Sequence, residues 1–271
     1  MKRSILFVFA AVLFVWACNS NSGSETPKPG ANGVALPKEV ADLYAALTSN
    51  PTNNNLRLKL AYALDSIGQP ALAIKQMDTL VAKDTASEML WVNRASIAED
   101  AKDTVKALES YSRALHINES AGTLLKLANL YAESKNPRAL LICGRVKNMA
   151  QGKEVDANSD FIAGVYYSRT GNRPAALQKF DDAIAGNYTF MEAYIEKGMV
   201  YFDNKQYPEA LKVFQFAGTI NHLYADAYYY QARCYEMMAK KDSAVLRFKQ
   251  SLSLDKGLTE AHAGLKRLGA E

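Results

Sequence analysis

One spacing governs what this chain can fold into: small and large apolar residues return every 34 positions over most of its 271 residues. The pattern is clearest in copies starting at 157, 191 and 225. Their fourth places hold Asp160, Tyr194 and Tyr228, their eighth Gly164, Gly198 and Ala232, and their eleventh Tyr167, Tyr201 and Tyr235. The second halves carry Ala176, Ala210 and Ala244 at place 20, Phe180, Phe214 and Phe248 at place 24, and Ala183, Ala217 and Ser251 at place 27. Spacings of three, four and seven inside each half put these residues on one stripe of a helix. Two such helices cannot bury their stripes alone, so successive copies must stack.

Two further copies lie upstream. The one starting at 88 has Trp91, Ala95, Ala98, Ala107, Tyr111 and Ala114 in the corresponding places, and the one at 54 has Arg57, Ala61, Leu64, Ala73, Met77 and Leu80. A copy at 121 is degenerate: Leu124, Leu127, Ala128 and Tyr131 fit, whereas Ala139, Cys143 and Val146 fit only if its internal turn is one residue short. A proline opens the second helix in four copies (Pro70, Pro137, Pro174, Pro208), where its missing N–H costs nothing. Over about 54 to 258 the chain resembles the tetratricopeptide repeat family, with six copies. The resemblance implies an all-α solenoid of helix-turn-helix units over 37–271, with terminal caps near 37–49 and 259–269. Place 7 departs from the family in being polar at Arg94 and Lys197, and the proline usual at place 32 survives only as Pro51.

The first residues read differently. Lys2 and Arg3 precede an almost unbroken apolar run from Ile5 to Ala17 that stops at Cys18. A spanning helix needs about 20 apolar residues, so residues 1–17 are expected to be a removable signal peptide. Val15-Trp16-Ala17-Cys18 resembles the lipobox of bacterial lipoproteins, although Trp16 stands where a small residue is usual. The resemblance implies that Cys18 becomes the lipid-carrying N-terminus. An ordinary secretory signal with an incidental cysteine is the alternative. Residues 18–36, rich in Gly, Ser and Pro, cannot bury enough apolar surface to order themselves and form a tether reaching roughly 20–25 Å. Only Glu25 follows the cysteine as an acid, so the expected location is the periplasmic face of an outer membrane, with the cell surface as the alternative.

Charge narrows the partners. With Lys2 and Arg3 set aside, 30 bases face 28 acids, too even a balance to argue for nucleic acid. Catalysis, metal and cofactor find no support either. His116, His222 and His262 fall at different repeat positions, and no phosphate-cradling glycine loop or nucleophile elbow occurs. Cys143 and Cys234 lie in different repeats, beyond the roughly 7 Å Cα separation a disulfide tolerates, and read as small core residues. The recurring tyrosines read as packing.

What remains is the inner face. In the family the first helix of each repeat lines a concave groove through places 2, 5, 9, 12 and 13. Place 5 is apolar in every copy (Leu58, Val92, Leu125, Phe161, Ile195, Tyr229), and acids gather at places 12 and 13. The expected partner-binding residues are Phe161, Arg169, Ile195, Met199, Phe202, Asp203, Tyr229, Arg233, Glu236 and Met237. A merely solvated face accounts for the acids but less well for the apolar row. The family's carboxylate clamp is missing: Asn129 matches it, but Leu125 stands where its lysine belongs. The expectation is a membrane-anchored scaffold that holds another envelope protein or peptide segment, with no small-molecule substrate. A glycan-binding part of an outer-membrane uptake system is the rival, for which the chain has no spare length outside the repeats.

Overall fold

A computed structural model describes residues 36–270; the stretches expected to be a leader and a tether, with Cys18 between them, lie outside the described residues up to residue 35. Fourteen α-helices and no strand occur among the described residues. Helix α1 (Lys38–Ser49) precedes six helix pairs: α2 (Asn54–Ser66) with α3 (Pro70–Lys83), α4 (Glu88–Asp100) with α5 (Thr104–Ile117), and α6 (Ala121–Glu133) with α7 (Arg138–Asn148). The series continues with α8 (Lys153–Arg169) and α9 (Arg173–Gly186), α10 (Met191–Asp203) and α11 (Tyr207–Ile220), α12 (Ala225–Met237) and α13 (Lys241–Leu254), and ends on α14 (Thr259–Arg267). None of these helices is long and apolar enough to cross a membrane.

Local chemistry sets the helix ends. Asn53, Ser87, Asp103, Ser120 and Asn172 each accept a hydrogen bond from the backbone N–H three residues on, satisfying one donor that the first turn leaves free. Pro70, Pro174 and Pro208 sit in first turns, whereas Pro137 stands one place outside α7 as its cap residue. Between the two helices of every repeat, place 15 adopts the left-handed conformation: Gly68, Lys102, Lys135, Gly171, Lys205 and Ala239 have φ between 56° and 82°. The following N–H returns to the carbonyl of place 11 each time, as in Gln69 to Leu64 and Lys240 to Tyr235, both 2.9 Å, closing the helix in a Schellman-type turn.

Only two of those six places are glycine. Ala239 is exposed and carries a side chain at φ 59°, a conformation that costs an L-residue about 1–2 kcal/mol. Glycine removes that cost but adds roughly 0.4–1 kcal/mol of unfolded-chain entropy. Ala239→Gly is therefore expected to stabilise the chain by about 0.5 kcal/mol, read as a higher urea midpoint at unchanged slope.

The pairs pack through one recurring contact. Places 8, 20, 24 and 27 are buried in all six copies, the degenerate one included through Ala139, Cys143 and Val146. A Cβ added at Gly164 would lie 2.6 Å from the Phe180 ring, and one at Gly198 only 2.2 Å from the Phe214 ring. A small place 8 is thus what lets the large place 24 enter between the helices. The core runs along the stack as successive clusters, the first reaching from Val40 to Leu130 and later ones centring on Phe180, Phe214 and Phe248, because each repeat touches only its neighbours.

Polar departures from the pattern are structural. Arg94 is buried, with Asp78 at 2.7 Å and Ser110 at 2.6 Å, and Lys197 pairs with Asp181. Asp160, at a place where three other copies have an aromatic, takes Lys147 at 2.6 Å and Lys179 at 2.9 Å. Tyr111, Tyr194 and Tyr228 are buried, but Tyr131, Tyr167, Tyr201 and Tyr235 are only half-buried, so the packing role expected of all of them is partial at place 11.

The stack is irregular at one point. Helix α7 stops after 11 residues, whereas the other second helices have 14, and α8 begins at Lys153, a turn before the repeat start at 157, and runs for 17. Left-handed Ala150 and Gly152 make the sharp turn between them. With α7 short, α8 packs directly on α6, far more extensively than α8 meets α10 or α10 meets α12. Three successive pairs of first helices (α6 with α8, α8 with α10, α10 with α12) approach one another while no two second helices do so as extensively, so from α6 onward the first helices lie on the inside of the stack.

Candidate functional site

The inner face is built from places 2, 5, 9, 12 and 13 of α2, α4, α6, α8, α10 and α12. At place 5, Leu58, Val92, Leu125, Phe161 and Ile195 are half-buried at the edges of the core clusters, Phe161 against Phe180 and Ile195 against the cluster that holds Phe214.

The expected residues of the last two repeats do converge. The Arg233 guanidinium lies over the rings of Phe202 (5.6 Å) and Tyr229 (6.0 Å) and donates to the Tyr229 hydroxyl at 3.0 Å. Phe202 also meets the edge of Tyr207 at 5.2 Å, and with Ile195 and Met199 it packs around Phe214. Met237 is 48% exposed at the end of α12 and Asp203 stands in solvent.

Three expectations need correction. Tyr229 is a core residue, 8% exposed, edge-on to Tyr230 at 5.0 Å and tilted against Phe248 at 5.9 Å; α12 turns it toward the C-terminal helices, which cover it. Phe161 is not left bare, since Phe180 and Phe190 flank its ring at 5.9 and 4.8 Å. Glu236 is not free to steer a basic partner: Arg267 grips both its oxygens at 2.9 Å, and Arg233 approaches to 3.4 Å.

Arg169 has a similar internal role. It reaches back to Glu133 on α6 at 2.9 and 3.1 Å and forward to Glu196 on α10 at 3.0 and 3.2 Å. The hydrogen bonds to Glu196 outweigh its partial burial and hold the guanidinium charged even more firmly than usual. Toward the N-terminus the arrangement differs. Asp65 on α2 faces Asp100 on α4 with no base between them, and burial, then the Asp100 charge, pushes the Asp65 carboxyl above its ordinary range.

Two hollows lie on this face. An open one of about 990 Å³ separates α1 from α2, with Leu43, Ala46 and Ala63 beside Tyr62. The other, about 510 Å³, spans α4, α6, α8 and the start of α10. Sequence reasoning placed Glu99, Asp100, Leu125 and Phe161 there but missed Asn158, Phe190 and Glu192. Asn158 and Glu192 hold place 2 of their repeats, which was signal enough; Phe190 lies in a turn between repeats and announces itself only as an isolated aromatic.

Reactive chemistry is not prominent. Cys143 and Cys234 are buried free thiols that burial pushes up to about 12, too high to supply thiolate at neutral pH. No group of three or more His, Cys, Asp or Glu side chains that could hold a metal ion occurs among the described residues.

A curved stack of helix pairs with an unfilled inner face defines a protein of the α-solenoid class. Family models described as tetratricopeptide repeat match residues 58–122, 163–217 and 226–254, more than half of the sequence, and the chain belongs to the tetratricopeptide repeat family. No curated protein matches the sequence. Among solved structures the chain is similar to a tetratricopeptide repeat protein from Parabacteroides merdae, at 20% identity over 85% of this chain and 91% of that one, with a TM-score of 0.67. It is also similar to PilW, a type IV pilus biogenesis factor (18% identity, 78% and 98% covered, TM-score 0.60). A third likeness is to yeast Tom70 (14% identity, 87% and 58% covered, TM-score 0.58). These likenesses are of fold. A repeat stack of this family is a scaffold for protein–protein contact.

Proposed function

We propose that this protein is a lipid-anchored adaptor of a bacterial cell envelope, holding a segment of another envelope protein against its inner face. It performs no chemistry of its own. The observation that carries the reading is the place-5 row, Leu58 to Ile195, apolar and only half-buried in five successive repeats. Apolar surface of this continuity marks an interaction site, and an extended or helical segment laid in a groove is the matching mode. The anchor rests on the apolar run ending at Cys18 and the polar stretch after it. A tether of roughly 20–25 Å leaves the stack within reach of the membrane, on the periplasmic face of an outer membrane in this reading.

Two measurements test the two halves. Cys18→Ser is expected to abolish incorporation of a clickable fatty acid and leave an uncleaved or soluble chain; label persisting on the serine variant rules the anchor out. Pull-down from host membranes with mass spectrometry identifies the partner, which is then measured against Phe161→Ala and Phe202→Ala, with circular dichroism as folding control. Binding energy concentrates in large residues, so at least one variant is expected to lose tenfold or more in affinity, about 1.4 kcal/mol. Folded variants that both bind like wild type refute the groove.

A further inference from the structure

The carboxylates of the inner face are treated differently along its length. Further along, the chain neutralises three of them itself and leaves the isolated Asp203 in solvent: Glu133 and Glu196 share Arg169, and Glu236 is held by Arg267 and Arg233. In the hollow between α4, α6, α8 and the start of α10, Glu99, Asp100 and Glu192 stand together on the rim. None of these three makes an ion pair. Glu99 accepts the Tyr111 hydroxyl, and Asp100 lies beside another acid, Asp65. One base, Lys126, shares the rim and is itself unpaired.

Beneath the acids the floor is apolar. Leu125 and Phe161 lie between the helices, and Phe190 closes on the Phe161 ring at 4.8 Å. Ring faces carry partial negative charge and attract cations, so floor and rim favour the same sign. The hollow opens where the stack is irregular, beside the lengthened α8, and its roughly 510 Å³ is in the range of built ligand sites.

We infer that this hollow is the principal docking point of the inner face, and that its occupant is a protein segment placing a Lys or Arg beside a large apolar side chain. The inference rests on the groove reading above and deepens it. The apolar side chain enters against Phe161, Phe190 and Leu125. The adjacent cation sits among Glu99, Asp100 and Glu192, supplying the counter-charge that Arg169 and Arg267 supply elsewhere. Like charges left without a base lower stability, and Asp65 beside Asp100 shows this cost; a basic partner relieves it on binding.

The test is a selection of random 12-residue peptides displayed on phage against the full-length protein in detergent. Selected peptides are expected to carry Arg or Lys next to Phe, Leu, Ile or Met. Synthesised and measured by biolayer interferometry, they are expected to bind the doubly neutralised D100N/E192Q variant at least tenfold more weakly at low salt. The difference should shrink in 0.5 M salt, roughly the range where the screening length falls to a few ångströms. Both substitutions are charge-to-amide changes at exposed positions, so the fold is retained, and E209Q, at an exposed position of the second helix α11, is expected to change nothing. A neutral or acidic consensus, no selected peptide, or binding indifferent to D100N/E192Q overturns the inference. Peptides that respond to Phe202→Ala but not to D100N/E192Q sink this inference while leaving the groove standing; peptides indifferent to both sink both.

Discussion

Phe214→Ala is expected to destabilise the protein by about 3–5 kcal/mol, the cost of truncating a fully buried aromatic. The ring has no solvent exposure, lies against Gly198 and Ala210, and stacks on Tyr230 at 5.1 Å and 20°. The partner change tests the same contact from the other side. Gly198→Ala puts a methyl 2.2 Å from the Phe214 ring and is expected to cost about 1–3 kcal/mol by overpacking. In the double variant that methyl enters the cavity left by the lost ring. The two costs should therefore fall short of adding, by at least about 0.5 kcal/mol, as contacting residues do. Chemical denaturation of the four proteins decides this. Additive costs would mean that the two positions do not touch and that the repeat register is wrong.

The second large effect concerns a residue that sequence reasoning assigned to the binding surface. Tyr229→Ala is expected to lose about 3 kcal/mol of stability, by the same cavity argument. The side chain is buried against Phe248 and Tyr230 and ties down Arg233 by its hydroxyl. Tyr229→Phe keeps the packing and removes one hydrogen bond to a charged group, for an expected 1.5–3 kcal/mol at most and about 1 kcal/mol given the partial exposure of Arg233. Thermal melts of the two variants separate cavity from hydrogen bond. Equal losses would show that the ring's packing contributes nothing, and would return Tyr229 to the surface. Weak partner binding by Tyr229→Ala says little unless the variant is shown to be folded, whereas half-buried Phe202 lends itself to that measurement.

The contrast between these two tyrosine readings shows where the sequence stops being informative. Place 5 reads as inner face because Leu58, Val92, Leu125, Phe161 and Ile195 share it, and in those five repeats a half-buried row results. At Tyr229 the next first helix is the short α14, whose Ala261 and Leu265 join the same cluster and close over the ring. Likewise the acids at places 12 and 13 are plain in the sequence, but whether each is free depends on a partner 27 to 36 residues away, as in Glu196–Arg169, Arg169–Glu133 and Arg267–Glu236.

From the sequence by itself came the period, the helix pairs and the small and large residues that stand at places 8 and 24. These follow from the 3.6-residue geometry of one helix and from what two neighbouring helices must bury, information carried within about 34 residues. Only the tertiary structure decided that α7 is cut to 11 residues and α8 extended to 17, that α8 then rests on α6, and that a hollow with unpaired acids opens there. The physical reason is that the step from one repeat to the next is set by the summed packing of four or more helices. A turn shortened by one residue in the copy at 121 resets which inner-face side chains meet, and no local periodicity records that distance.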